Sequence, residues 1–329
     1  MFGIWLMRTI VINETALQYR SVLSLVGVHC DLTTNSRILV NTLRPWRNSA
    51  EEISKEQIIL RISVDGSEQG NATRPHFRGL HHLVFVSFGA SNVFVLDLLQ
   101  RVVTGVVTEA IAQDAQFWNW TMLPIVIGVL GTTVNVVPIH CACVAVNGSG
   151  VLIAGTSGAG KSTFSAALAQ REFDFVSDDW TYVSRGRQLM AHGMGVPIKL
   201  LPDAVEHFSE LQGRPVLKSL NGELAYQVDA QRVFGAKPLR ACEPQCFVFL
   251  ERSEQQTSEL IPISGEEVQN YLELSAERLP AQLASAVRQR SNVIAHLAAL
   301  PCWIYRYGGT PQFGADQFHK LFQKEALVA

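Results

Sequence analysis

Cysteine, charge of one sign and long apolar runs are all scarce in this sequence, and each scarcity removes a class of protein. Six cysteines in 329 residues (Cys30, Cys141, Cys143, Cys242, Cys246 and Cys302) are too few and too irregular for a disulfide framework in a chain able to bury an ample core. Reduced thiols in a cytoplasm are expected. Lys and Arg number 27 against 29 Asp and Glu, a formal charge of -2, so nothing pulls the chain toward a polyanion and no nucleic-acid partner is expected. Residues 115–160 carry no charge, and mean hydropathy reaches +0.14. Continuous apolarity there is confined to residues 122–131, broken at Pro124, and Thr132, Thr133, Asn135, Pro138 and His140 follow. A membrane span needs ~20 largely apolar residues. A buried core helix followed by a buried strand is expected instead, with no membrane partner. The N-terminus has its apolar stretch before Arg8, the reverse of a secretory signal, and reads as a strand.

What is present fits a globular chain of one or two domains: 47% apolar, 17% charged, Gly 24 and Pro 13. Residues 1–112 read as a mixed α+β domain, with β-rich runs at 22–28, 58–64, 82–88 and 93–98, a helix at 33–43, and surface loops at 48–56 and 65–74. From 98 to 127 the pattern turns helical, and a second domain, 113–329, is expected to begin within it. Strands then follow at 134–146 and 151–154, joined by the turn Asn147-Gly148-Ser149-Gly150, and later at 173–176, 180–183, 245–250 and 302–307. Helices are expected at 203–211, 266–279 and 281–300, with a last one beginning near Phe313.

The run Gly155-Thr156-Ser157-Gly158-Ala159-Gly160-Lys161-Ser162 satisfies G-x-x-x-x-G-K-[ST] between an apolar strand, residues 151–154, and a helix opening at Thr163. Glycines let successive N–H groups turn inward, and the helix N-terminus adds partial positive charge against a phosphate. Lys161 would neutralise phosphate oxygens, and the Ser162 hydroxyl suits the oxygen shell of Mg²⁺. A short strand at 173–176 ends in Ser177-Asp178-Asp179. A right-handed crossover of this length predicts a parallel neighbour for strand 151–154, with both acids beside the loop. One aspartate would hold Mg²⁺ while the other accepts a proton from an attacking hydroxyl.

With His140-Cys-Ala-Cys-Val-Ala-Val before the loop and Phe-Val-Ser-Asp-Asp after it, the chain resembles the HPr kinase/phosphorylase family over residues 138–183. The likeness is closer to the family's divergent, HPr-kinase-like relatives found beside peptide-modifying genes. That family phosphorylates a serine of a carrier protein, shares its fold with phosphoenolpyruvate carboxykinases and assembles into hexamers. The resemblance implies an α/β architecture with a C-terminal P-loop kinase domain, ATP and Mg²⁺ as cofactors, and homo-oligomers. It assigns Asp179 as base, Lys161 and His140 as further catalytic residues, and residues Gly155 to Thr163 as the nucleotide loop. Ser162 and Asp178 become the metal ligands.

Two departures stand out. Thr163 occupies the place of a family glutamate, and Met190 that of an acid before Ala191-His192-Gly193-Met194-Gly195, so kinase activity alone is expected, without the reverse reaction. Lys199, Lys237 and Glu223 are candidate replacements for missing polar groups. A zinc site from Cys141, Cys143, Cys242, Cys246 and His140 is disfavoured, since adjacent strand residues face opposite ways. The expected function is phosphorylation of a Ser/Thr hydroxyl in a peptide or small carrier protein, in peptide natural-product modification, with residues 1–112 presenting the acceptor or mediating assembly. A small-molecule kinase and a nucleotide-binding regulatory protein remain as alternatives.

Overall fold

The computed structural model describes residues 17–47, 57–66, 70–171, 173–218, 222–276 and 278–324. Most of the expected N-terminal strand, the loop at 48–56, and Asn221 lie outside them. The chain divides into two units, Met1–Leu130 and Gly131–Ala329. The division comes later than the expected 112/113 because the intervening helical residues belong to the first core. Phe117 packs edge-on against Phe88 at 4.8 Å, and Trp118 against Phe94 at 6.1 Å.

In the first unit the strands are β1 (Tyr19–Leu25), β2 (Val28–Thr34), β3 (Gln57–Asp65), β4 (His76–Leu80), β5 (Leu83–Ser87), β6 (Val93–Asp97) and β7 (Val102–Thr108). They form one seven-stranded sheet in the order β1-β2-β3-β7-β6-β5-β4, parallel at β2-β3 and β3-β7 and antiparallel elsewhere. Its helices are α1 (Arg37–Thr42), α2 (Glu109–Gln113), α3 (Ala115–Phe117) and α4 (Leu123–Leu130). Thr33 and Thr34 therefore end a strand, and α1 opens only at Arg37, behind a Ser36 cap that accepts the Leu39 N–H at 3.4 Å. β7 corrects the helical reading of this stretch: its residues are β-branched except Gly105, and a strand flanked on both sides loses the polar alternation that marks a half-exposed one.

Among the described residues, the helical run Ala115–Val134 alone is long and apolar enough to cross a membrane by length and composition. Its most apolar window is 61% buried inside the protein, and α4 buries Leu123, Val126, Ile127 and Leu130. It is the expected core helix.

The second unit holds β8 (Val136–Ile139), β9 (Ala142–Val146), β10 (Ser149–Ala154), β11 (Asp174–Ser177), β12 (Thr181–Arg185), β13 (Leu189–His192), β14 (Ile198–Leu200), β15 (Leu217–Lys218), β16 (Leu224–Val228), β17 (Ala241–Arg252), β18 (Ser258–Pro262) and β19 (Cys302–Tyr307). Its helices are α5 (Lys161–Ala169), α6 (Ala230–Phe234), α7 (Gly265–Ser275), α8 (Ala284–Ala298) and α9 (Pro311–Lys324). The expected strand 134–146 is two strands, β8 and β9, broken at His140 and Cys141. The expected helix 203–211 is two short 3₁₀ turns, Pro202–Glu206 and Ser209–Leu211, interrupted where Phe208 turns extended at φ -129°.

The main sheet runs β11-β9-β10-β17-β13-β12-β8, with β19 also on β17 and β18 on β19. β9 is antiparallel to both β10 and β11, so β11 runs parallel to β10 as expected but is not its neighbour. The hairpin partner of β10 already fills that place. α5 lies against the sheet with Phe164 to Ala169 all buried, and its small residues permit a close approach. Phe164 reaches the rings of Tyr305 at 5.5 Å, Tyr307 at 5.2 Å and Phe318 at 5.7 Å. Burial of one such side chain contributes about 2–3 kcal/mol, enough to fix the helix that carries Lys161.

On β13, His192 meets the Ser184 hydroxyl at 2.8 Å, and burial pushes its pKa down to about 4. The unfolded chain therefore takes up a proton near pH 6.5 that the folded chain refuses until about pH 4. His192 supports stability fully above that range and loses the contribution as pH falls through it. Melting curves between pH 8 and pH 5 are expected to fall more steeply for the natural chain than for His192→Gln, by roughly a few degrees; parallel curves would remove His192 as the cause.

Candidate active site

Two breaks between strands, β8 to β9 and β11 to β12, and the mouth of one helix come together. β10 ends at Ala154, and residues 155–160 lead into α5, whose preceding residue Gly160 has φ 85°, as Gly158 has φ 83°. A Cβ at either glycine would meet nothing within 4 Å, so their conformation and not crowding requires glycine. Gly160 provides no side-chain cap, which leaves the first-turn N–H groups of α5 to an external acceptor. Lys161 folds back over the loop, its Nζ donating to the Gly155 carbonyl at 3.1 Å. Tyr271 of α7 donates to the same oxygen at 3.4 Å.

β11 delivers the two acids to different surroundings. Asp178 is buried; it accepts from Ser165 Oγ at 3.3 Å and from the Lys199 backbone N–H at 3.1 Å, with Ser162 also acting to lower its pKa. Burial pushes its pKa up to about 6, the Lys199 N–H opposing and the Asp179 charge adding to the rise. Asp179 is half-exposed, and its Oδ1 lies 2.9 Å from Nε2 of His140, the residue at the break between β8 and β9. Partial burial pushes Asp179 up, but the hydrogen bond and charge of His140, with Lys199 and Lys161, outweigh it and hold the carboxyl below its ordinary value. The His140 ring stacks on Trp180, centroids 5.3 Å apart and planes at 28°.

His140, Lys161, Ser162, Asp178 and Asp179 are thus neighbours, although they come from separate elements. Lys199 joins them, whereas Lys237 is mostly exposed and pairs with Asp174 at 3.7 Å, at the far end of β11 from the acids. Glu223 is exposed, before β16, and Met190 lies on β13 opposite Ser184. Ser165, Tyr271 and Trp180 are additions. The Ser162-x-x-Ser165 spacing puts two hydroxyls on one helical face, a signal present in the sequence; the approach of Tyr271 had none.

The cysteines are buried. Cys143 and Cys242 lie with sulfurs 3.6 Å apart, and burial pushes Cys141 and Cys246 up to about 12 and Cys302 up to about 11. Such thiols stay protonated at neutral pH and pack as small apolar groups. Among the described residues no group of three or more His, Cys, Asp or Glu is arranged to hold a metal.

Open glycines, uncapped amides and Lys161 fit a polyphosphate, and the hard oxygens of Ser162 and Asp178 fit a cation that keeps several waters.

The fold is mixed α/β, with the site in the C-terminal unit. Residues 133–218 match the family model described as HPr Serine kinase C-terminal domain. Over 188 residues the chain is 26% identical to an HPr kinase/phosphorylase of Chloroherpeton thalassium, covering 56% of this chain and 48% of that protein. The match therefore spans about half the length of that curated relative. The Hpr(Ser) kinase/phosphatase of Coxiella burnetii, a solved structure, aligns over 57% of this chain and 93% of its own at 13% identity, with a TM-score of 0.26. The chain is thus HPr-kinase-like over the residues that the family model matches.

Proposed function

We propose that the protein is an ATP- and Mg²⁺-dependent kinase that phosphorylates a Ser or Thr hydroxyl of a peptide or small carrier protein, acting in the forward direction only. The observation that carries this reading is the Asp179–His140 pair at 2.9 Å, both side chains half-exposed, beside the loop that holds Lys161. An open base accommodates a segment of polypeptide; a small-molecule kinase would enclose its acceptor.

ATP supplies the phosphoryl group and Mg²⁺ the charge that neutralises it. The chain's residues do the remainder. Loop amides and Lys161 hold phosphate oxygens, and Ser162 and Asp178 provide oxygen ligands for the cation. Asp179, ionised at neutral pH, orients the acceptor hydroxyl and accepts its proton at Oδ2, the oxygen not bound to His140. A carboxylate held below its ordinary pKa is a weak base, which suits a loose transition state where proton transfer comes late. Lys199 supplies a second positive charge beside it. The first unit presents the acceptor or mediates assembly into homo-oligomers, and the enzyme works in the cytoplasm, in the modification of peptide natural products.

Mass spectrometry of candidate acceptor peptides and proteins after incubation with Mg²⁺-ATP tests the reading. A gain of one phosphoryl group is expected, reduced by about 10²–10⁴-fold in Asp179→Asn while nucleotide still binds. ATP binding with no acceptor modified would make the protein a nucleotide-dependent regulator instead.

A further inference from the structure

We infer that Trp180 is a specificity-determining residue for the acceptor: its indole is the wall against which an apolar side chain close to the reacting hydroxyl packs. The inference rests on the peptide-kinase reading above. Trp180 directly follows Asp179, and His140 occupies one face of its ring. Even so, 44% of the residue is exposed. An indole needed only to brace an imidazole would be covered by its own protein; this one leaves apolar surface in water at the edge of the proposed base.

Its position is also fixed in advance. On the N-terminal side Asp178 is buried and hydrogen-bonded to Ser165 and Lys199. On the C-terminal side the Thr181 hydroxyl donates to the Cys141 carbonyl at 2.8 Å and meets Ser177 Oγ at 2.6 Å. A rigid, half-exposed aromatic side chain loses little freedom when a partner covers it, which is the property of an interface anchor.

Reach and charge then select the partner's chemistry. An extended peptide advances about 3.3–3.6 Å per residue, so a hydroxyl held at Asp179 brings the side chains one or two positions away to the indole. Charges of both signs stand there, Asp179 with Lys161 and Lys199 acting on it, so an ionised side chain gains one partner only beside a like charge and loses hydration against the ring. An aliphatic or aromatic side chain incurs neither penalty.

The test uses the full chain, Mg²⁺-ATP and Ser-centred peptides in which one flanking position is fixed as Leu, Phe, Gly, Asp or Lys. Leu or Phe within two residues of Ser is expected to give kcat/KM roughly ten-fold above Gly. Trp180→Ala is expected to erase that preference by raising KM, with kcat nearly unchanged, and Trp180→Phe to retain most of it. A preference that survives Trp180→Ala overturns the inference and leaves the kinase reading intact. So does a uniform fall in kcat at constant KM, which would make the indole a brace for His140. If Trp180→Ala does not fold, Trp180→Gln decides: a preference for Leu or Phe that persists in it overturns the inference. If the natural chain phosphorylates no peptide while ATP binds, the peptide-kinase reading falls and takes this one with it.

Discussion

Lys161→Met is expected to lower phosphoryl transfer by about 10³-fold or more and to weaken nucleotide binding in the same variant. The side chain opens α5 and folds over residues 155–160, its ammonium held by one carbonyl at 3.1 Å. That single bond is easily exchanged for phosphate oxygens, whereas nothing else in the loop carries positive charge. Methionine keeps the length and the apolar stem of lysine, so a large effect would come from charge and not from packing. Transfer assays and nucleotide titrations, run together, separate this variant from Asp179→Asn, in which nucleotide binding is retained. Undiminished transfer in Lys161→Met would sink the assignment of this loop to phosphate.

Gly193→Ala is expected to cost about 4 kcal/mol or more and to yield largely insoluble protein. An added Cβ would stand 1.7 Å from the Val176 carbonyl oxygen and 2.7 Å from its carbon, and neither is the end of a flexible side chain. The Gly193 N–H donates to the Arg240 carbonyl at 3.0 Å, so the strand cannot simply swing away. Relief would have to come from β11, which ends one residue before Asp178 and would carry both acids with it. Gly186→Ala is the control: nothing lies within 4 Å of its built Cβ, and its stability is expected to change by less than about 1 kcal/mol. Urea unfolding of the three proteins measures the difference. If Gly193→Ala unfolds at the same denaturant concentration as the control, the close approach of these strands is not as described.

Much of the site was legible because it is local. A strand, a glycine loop and a helix within residues 151–169 need no tertiary information, although β10 opens at Ser149, two residues inside the turn expected at 147–150. The two acids were legible from their position after a short strand. What failed was non-local. The order β11-β9-β10 depends on a hairpin taking the place a crossover strand would otherwise fill, and no periodicity encodes that competition. β7 was misread because it lies between β3 and β6 and carries no alternating pattern. Phe117 and Trp118 moved the unit boundary through rings that sit on Phe88 and Phe94, contacts visible only after folding. Trp180 was plain in the sequence as the residue after two aspartates, yet only its stacking and exposure give it a role.

The hairpin between His140 and Lys161 acts as a fixed spacer. Val146 pairs with Ser149, Val144 with Val151 and Ala142 with Ile153, so the number of residues in two short strands sets how far the imidazole lies from the ammonium. Lengthening the exposed turn at Asn147-Gly148 leaves that count untouched. Deleting one residue within β9 changes it, and either reverses the side of the sheet on which each following side chain points or draws His140 one step along the strand. Tolerance to insertion at the turn and intolerance a few residues earlier would therefore mark, in a library of length variants, the stretch of chain that keeps His140 and Lys161 in step.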